Sequence, residues 1–171
     1  MKRTTILCLS GLLAQLSGMA SAQTTSSKVT RHANTPPAMI LQGVTVAPGA
    51  TMLYLSGQLA SPIEASKAKP AAEMTMADFG DTKTQTVSVL TKTKALLEAR
   101  GFKMSDVIKL TVFVAGDPKL GGKMDFAGMN EAFRMFFGSA DNPVTVARST
   151  VQVAALVSPN FLVEIEATAA R

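Results

Sequence analysis

Two runs in the last third of the chain constrain its fold more than anything else in the sequence. Residues 147–153, Ala-Arg-Ser-Thr-Val-Gln-Val, and residues 161–167, Phe-Leu-Val-Glu-Ile-Glu-Ala, alternate their side chains with a period of two and are separated by a short turn. That period is the mark of β-strands, and the β-branched and apolar content of both runs agrees with it. Each run also sets charge among apolar neighbours, Arg148 on the first and Glu164 and Glu166 on the second. An arginine and a glutamate on successive strands this apolar predict a small pocket that grips an anion and handles a proton.

The remaining elements build a sheet around that pair. Residues 43–47 and 52–58 read as strands joined at a Pro48-Gly49 turn, together a hairpin. Residues 61–80, with Pro62 and Pro70, lose all periodicity and predict a long surface loop or a lid. Thr82 and Gln85 have the spacing of a capping box, and Val89, Leu90, Thr93, Leu96 and Leu97 share one face of a helix that ends at Gly101. Residues 106–115 are strongly β-branched and predict a strand, and residues 116–123, with Pro118, Gly121 and Gly122, predict a loop. A second helix runs from near Asp125 to Phe137 and stops at Gly138; its stripe of Phe126, Met129, Phe133, Phe136 and Phe137 reads as packing against a sheet. The order strand, strand, helix, strand, helix, strand, strand predicts one α+β domain with both helices on one face of a mixed sheet. Between residues 144 and 154 neither side of the strand is plainly wet, so a partner subunit is expected to cover the helix-free face.

Composition removes whole classes of chemistry. Cys8 is the single cysteine, His32 the single histidine and Tyr54 the single tyrosine, and tryptophan is absent. No thiolate cluster, histidine metal site or Ser-His-Asp relay can be assembled within one chain, and no spaced Asp/Glu cluster would hold a metal. No metal and no cofactor are therefore expected. The formal charge of +5 is spread over interspersed lysines and acids, without a dense basic run or aromatics to stack on bases, so no nucleic-acid partner is expected.

The amino terminus predicts export. Met1-Lys2-Arg3 is a positive start, residues 6–16 are mainly apolar, and Ala20-Ser21-Ala22 has the small-x-small cleavage pattern of a secretory signal. The apolar stretch falls short of the roughly 20 residues that span a bilayer. Cleavage after Ala22 removes Cys8 and lowers the charge to +3, leaving a periplasmic or secreted protein with no membrane attachment. Residues 23–37, rich in Thr and Ser and ending in Pro36-Pro37, predict a flexible leader that carries His32 into solvent. Residues 38–171 then form the single domain.

Six blocks in order resemble a known family: Leu55-Ser56-Gly57-Gln58; Leu96-Leu97-Glu98-Ala99-Arg100-Gly101; the strand from Asp106 to Val114; Asp125-Phe126 through Asn130; Ala147-Arg148-Ser149; and Val163-Glu164-Ile165-Glu166-Ala167. Over residues 42–169 the chain resembles the Rid family, the reactive intermediate (enamine/imine) deaminases also called YjgF-like. The resemblance implies a chorismate-mutase-like fold, a homotrimer whose sheets form a central barrel, and pockets between adjacent subunits. It implies hydrolysis of short-lived 2-imino acids or their enamines to 2-keto acids and ammonia. Arg148 resembles the arginine that clamps the substrate carboxylate, a role suited to a planar guanidinium that keeps its charge when partly buried. Glu164 resembles the glutamate that positions or activates water, which requires a raised proton affinity or a proton exchange with the imine nitrogen. Ser56, Asn130 and Thr150 match pocket-lining positions.

Three departures accompany these matches. Ile40 stands where archetypal members carry a tyrosine and has no hydrogen-bonding group, residues 61–80 differ, and residues 118–123 look inserted. Residue type alone leaves second roles open: an ion pair for Arg148, Glu166 in place of Glu164, a helix-face amide for Asn130 and a backbone-satisfying hydroxyl for Ser56. The alternative function is a non-catalytic trimer of the same fold that binds small carboxylates or client proteins.

Overall fold

The computed structural model describes residues 28–171. The signal sequence expected over residues 1–22 and residues 23–27 of the expected leader lie outside the described residues. Six strands and two α-helices follow in the order β1 (Val29–His32), β2 (Gly43–Val46), β3 (Met52–Leu59), α1 (Thr82–Glu98), β4 (Val107–Ala115), α2 (Phe126–Phe136), β5 (Ala147–Val153) and β6 (Val163–Ala170). The main sheet has the strand order β3-β6-β4-β5. Its β3–β6 and β6–β4 pairs are antiparallel and β4–β5 is parallel, so the sheet is mixed as expected.

The core lies between this sheet and the two helices. Leu110, Val112 and Val114 of β4 are buried with Ile165, Ala167 and Ala169 of β6, and they pack against Val89, Leu90 and Leu97 of α1 and Met129 and Phe133 of α2. On the opposite face β4 presents Lys109, Thr111 and Phe113, all half-buried. That face is less apolar than its alternation predicts: Ser149 is bonded to Lys109 at 2.8 Å, and Glu166 is exposed. Val151 at 45 % exposure and Tyr54 at 73 % keep it from being an ordinary wet surface.

Helix α1 starts one residue earlier than its expected capping box. Asp81 is the N-cap and its Oδ1 accepts from the Thr84 amide at 2.8 Å, satisfying one of the amides that a helix start leaves open. Gln85 is instead fully buried and joins α1 to the entrance of β6. Its amide nitrogen donates to the Gly80 and Asn160 carbonyls, and its oxygen accepts from the Leu162 amide at 2.8 Å. The helix ends into Gly101, whose φ of +73° is a conformation that side chains with a Cβ resist.

Two expectations for the amino-terminal part are corrected. Strand β2 pairs with β1, in the register Val29↔Val46 to His32↔Gly43, and forms no hairpin with β3. Strand β3 pairs with β6 instead, from Met52↔Ala170 to Leu59↔Glu164, because the long terminal strand offers it a full ladder. The leader is consequently structured over residues 28–37: β1 is in a sheet, and the Arg31 guanidinium donates to the Ser105 and Val107 carbonyls at 2.6 and 2.9 Å. His32 is exposed, as expected, with its Nε2 2.8 Å from Thr45 Oγ1.

The 61–80 segment is built of three short 3₁₀ turns, Glu64–Ser66, Ala71–Glu73 and Met76–Asp78. They converge on Asp78, whose carboxylate accepts from Ser66 Oγ at 2.7 Å, Lys69 Nζ at 2.8 Å and the Thr75 amide at 2.7 Å. The Lys69 ammonium and the Thr75 amide hold that carboxyl well below the usual carboxylate range. Residues 118–123 are also compact, since Gln152 of β5 donates to the Gly122 carbonyl at 2.8 Å and accepts from the Met124 amide at 3.0 Å.

Candidate functional site

Strand β5 and helix α2 hold Arg148 between them. Its Nη2 donates to Asn130 Oδ1 at 2.7 Å, its Nη1 meets Met129 Sδ at 3.7 Å, and its guanidinium carbon lies 4.4 Å from the centre of the Phe133 ring. Phe126, one turn nearer the start of α2, lies 6.0 Å away and is 45 % exposed. The spacing 126, 129, 130, 133 places these four residues on one helix face, so the aromatic stripe that reads as core in sequence also frames the arginine. A guanidinium carries five N–H donors, and among the described residues three of these find no protein acceptor. Among the described residues Arg148 is in no salt bridge; the ion pairs are Lys67–Glu64, Lys69–Asp78 and Lys83–Glu131. Burial, and secondarily the nearby Arg134, lower its proton affinity from the ordinary arginine value.

Glu164 is on the other side of the sheet. Arg148 registers with Leu110 on β4, which is buried beneath the helices, whereas Glu164 registers with Phe113 on β4, which faces away from them. Paired residues on neighbouring strands share a face and successive residues alternate, so the two charged groups leave the sheet in opposite directions. Glu164 and Glu166 line a cavity of about 400 Å³ with Phe113, Val153, Leu156 and Val157. The expectation of one pocket holding both groups is thus not met within a single chain.

The other expected residues divide in the same way. Asn130 and Thr150 belong with Arg148, though the Thr150 hydroxyl is buried without a hydrogen-bond partner and out of reach of solvent. Ser56 belongs with the glutamates: it is exposed on β3 and lines a cavity of about 270 Å³ with Tyr54, Lys109, Thr111 and Glu166. Gly57 next to it seats Glu164. A Cβ built on Gly57 would lie 1.9 Å from Glu164 Oε1, so the carboxylate rests directly on this stretch of backbone, where the β3–β6 register shifts between Leu55 and Gln58. The only sequence signal for that seat is a glycine inside a strand, which marks a bulge or a close approach. Ile40 packs against the core and its carbonyl accepts from Asn34 Nδ2 at 2.7 Å. Among the described residues no group of three or more His, Cys, Asp or Glu side chains converges as a metal site would require.

Residues 42–171 match the family model described as Endoribonuclease L-PSP, over well more than half of the chain. The chain belongs to the Rid (YjgF-like) family. A 2-iminobutanoate/2-iminopropanoate deaminase of Salmonella typhimurium is 36 % identical over 126 residues, covering 73 % of this chain and 92 % of that Rid protein. A RutC family protein of Pyrococcus horikoshii is 43 % identical over 90 residues; the match covers 53 % of this chain and spans 63 % of that relative's length. Among solved structures, Escherichia coli TdcF with bound serine superposes with a TM-score of 0.52 at 32 % identity, covering 82 % of this chain and 93 % of that one. The two helices on a mixed sheet are the Rid-family, YjgF-like α+β fold.

Proposed function

We propose that the protein hydrolyses 2-imino acids, or their enamine tautomers, to 2-keto acids and ammonia in pockets completed between copies of the chain. The observation that carries this reading is Arg148: a half-buried guanidinium, fixed by Asn130 and stacked on Phe133, with three donors unpaired and no carboxylate in salt-bridge contact among the described residues. A desolvated cation prepared in this way is matched by a planar anion that accepts two parallel hydrogen bonds, which is the shape of a substrate carboxylate. The deaminase name of the Salmonella relative and the amino acid bound to TdcF support a small α-substituted acid as that anion.

In the proposed reaction water adds to the C=N carbon of R–C(=NH₂⁺)–COO⁻, one of its protons passes to nitrogen, and ammonia leaves as the C=O bond forms, taking up the remaining hydroxyl proton to become ammonium. Arg148 holds the carboxylate and so fixes the carbon; Glu164 orients the water and relays the proton. Asn130 holds the arginine, and Ser56 borders the glutamate side. An imine is already electrophilic, so orientation and one proton relay are the main contributions asked of the protein.

Because Arg148 and Glu164 leave opposite faces of the sheet, the pocket requires the glutamate face of one subunit to meet the arginine edge of another. A homotrimer with its sheets closed into a barrel meets that requirement and would cover Tyr54 and Val151. The pattern of residues 1–22 supports work outside the cytoplasm. Purified protein coupled to an amino-acid oxidase tests the function. Faster keto-acid release by the wild type, lost in Arg148→Ala, is expected; no acceleration by the wild type would refute it.

A further inference from the structure

Residues 61–80 and 118–123, whose sequence departs from the family pattern, both border one cavity. Met76 of the first segment and Pro118 of the second line a space of about 220 Å³ where β4 ends and β6 begins, together with Leu156, Pro159, Phe161 and Leu162. Among the described residues no charged side chain lines it, and Ser158 supplies its one hydroxyl. The space exceeds the roughly 150 Å³ that suffices, between apolar walls, to admit a benzene ring.

This cavity adjoins the one that holds Glu164. Ala155 and Leu156 line both, so these two residues of the β5–β6 connection form the partition between them. The far wall is fixed: the Leu162 amide donates to Gln85 Oε1 at 2.8 Å, Asn160 Nδ2 donates to the Met74 carbonyl at 2.9 Å, and the Phe161 ring meets Phe79 edge-on at 4.8 Å. The partition has no such ties. Leu156 is half-buried, Val157 beside it is 79 % exposed, and neither makes a hydrogen bond among the described residues, so Leu156 can move aside without breaking one.

The glutamate side of the partition agrees with an apolar occupant. Besides Glu164 and Glu166, its walls are Phe113, Val153, Ala155, Leu156 and Val157. A group passing that way meets two carboxylates at the entrance and hydrocarbon beyond them. An aliphatic or aromatic group is admitted on both counts, whereas an acidic one is repelled by the carboxylates and would lose its water without a partner.

We propose that this second cavity receives the side chain of the substrate past Leu156, and that the protein favours 2-imino acids with branched aliphatic or aromatic side chains over those with a methyl, ethyl or acidic one. The proposal rests on the reading of Arg148 and Glu164 given above. A methyl or ethyl group ends within the glutamate cavity. An isobutyl or benzyl group continues past the partition and leaves water against Met76 and Phe161, which gives residues 61–80 and 118–123 a part in selecting the substrate.

Calorimetry with the intact protein tests this, using three stable 2-keto acids as probes: 2-oxobutanoate with an ethyl side chain, 4-methyl-2-oxopentanoate with an isobutyl one, and the diacid 2-oxoglutarate. The isobutyl acid is expected to bind wild type about tenfold tighter than the ethyl acid, the gain that two further buried carbons provide, and the diacid to bind most weakly. Ala154 is exposed and lines the second cavity but not the glutamate one, so Ala154→Leu fills that cavity and is expected to fold, which unchanged thermal melting confirms. It should bring the isobutyl and ethyl acids within about twofold of each other by weakening the isobutyl acid. Arg148→Gln should weaken all three. Equal affinities of the isobutyl and ethyl acids in wild type, tighter binding of the diacid than of the isobutyl acid, or equal weakening of both monoacids by Ala154→Leu would overturn the side-chain cavity while leaving Arg148 in place. Failure of every acid to bind wild type at millimolar concentration, or indifference of all to Arg148→Gln, would remove the reading of Arg148 and this proposal with it.

Discussion

Replacing Gly57 by alanine asks whether the position of the Glu164 carboxylate matters. Gly57 has no positive φ, so an alanine meets no backbone strain there. Its Cβ would nevertheless lie 1.9 Å from Glu164 Oε1, 2.7 Å from Cδ and 2.9 Å from Cγ, where ordinary contact begins at 3.4 Å. The carboxylate must retreat by about 1.5 Å, and since Cγ is also crowded the side chain must change rotamer rather than tilt its tip. A strained rotamer costs about 0.5–1.5 kcal/mol, and replacing a strand glycine returns about 0.5–1 kcal/mol through lower chain entropy. Stability should therefore change by less than about 1 kcal/mol. A misplacement of about 1 Å in a reacting group costs on the order of a hundredfold in rate, so kcat for keto-acid release should fall by that order while Tm barely moves. The assay is the oxidase-coupled reaction on Gly57→Ala, Glu164→Ala and the double variant. If the effect runs through Glu164, Gly57→Ala changes nothing further once the glutamate is gone. Full activity in the single variant, or the same loss in the Glu164→Ala background, would refute the seat.

Arg148→Ala should lower kcat/KM by about a hundredfold or more, because two charge-assisted hydrogen bonds to the substrate, at about 1.5–3 kcal/mol each, go with it; steady-state kinetics with several imino acids check that the loss is general. Asp81→Ala should destabilise the protein by about 1 kcal/mol through loss of the α1 cap, read from denaturant midpoints at unchanged m-value. Asp78→Asn should lower Tm at neutral pH. The folded Asp78 pKa is depressed, so its contribution is complete above the unfolded value of about 4 and fades as the pH falls below it, and the variant and wild-type melting curves should converge in acid. Light scattering should give the mass of a trimer for the purified protein, and a monomer retaining full deaminase activity would contradict the two-subunit pocket.

Most elements of the main sheet and both helices were legible because their periods are strong and local. The β-branched run of β4 and the aromatic stripe of α2 admit few other readings. What sequence misassigned depended on partners chosen at a distance. Strand β2 looks like half of a hairpin until β1 offers its four-residue ladder, and β1 looks like a tail because its anchor, Arg31, binds carbonyls more than seventy residues away. The loop of residues 61–80 has no period because its order comes from one carboxylate, Asp78, collecting donors from three turns. At the candidate site, residue identity pointed to Arg148 and Glu164. Strand alternation gives a residue's side only relative to its own strand, so their opposite facing emerged only from the cross-strand register. Phe133 and Gly57 were missed as parts of the site because packing and turning are sufficient explanations for an aromatic and a glycine.

The opposed exits of Arg148 and Glu164 bear on how this gene product tolerates damage. In the proposed assembly one copy lends the cation and its neighbour the carboxylate. Two inactive copies, one lacking each group, could then restore between them a working centre that neither forms with its own kind, and co-expression of the two would show as recovered turnover.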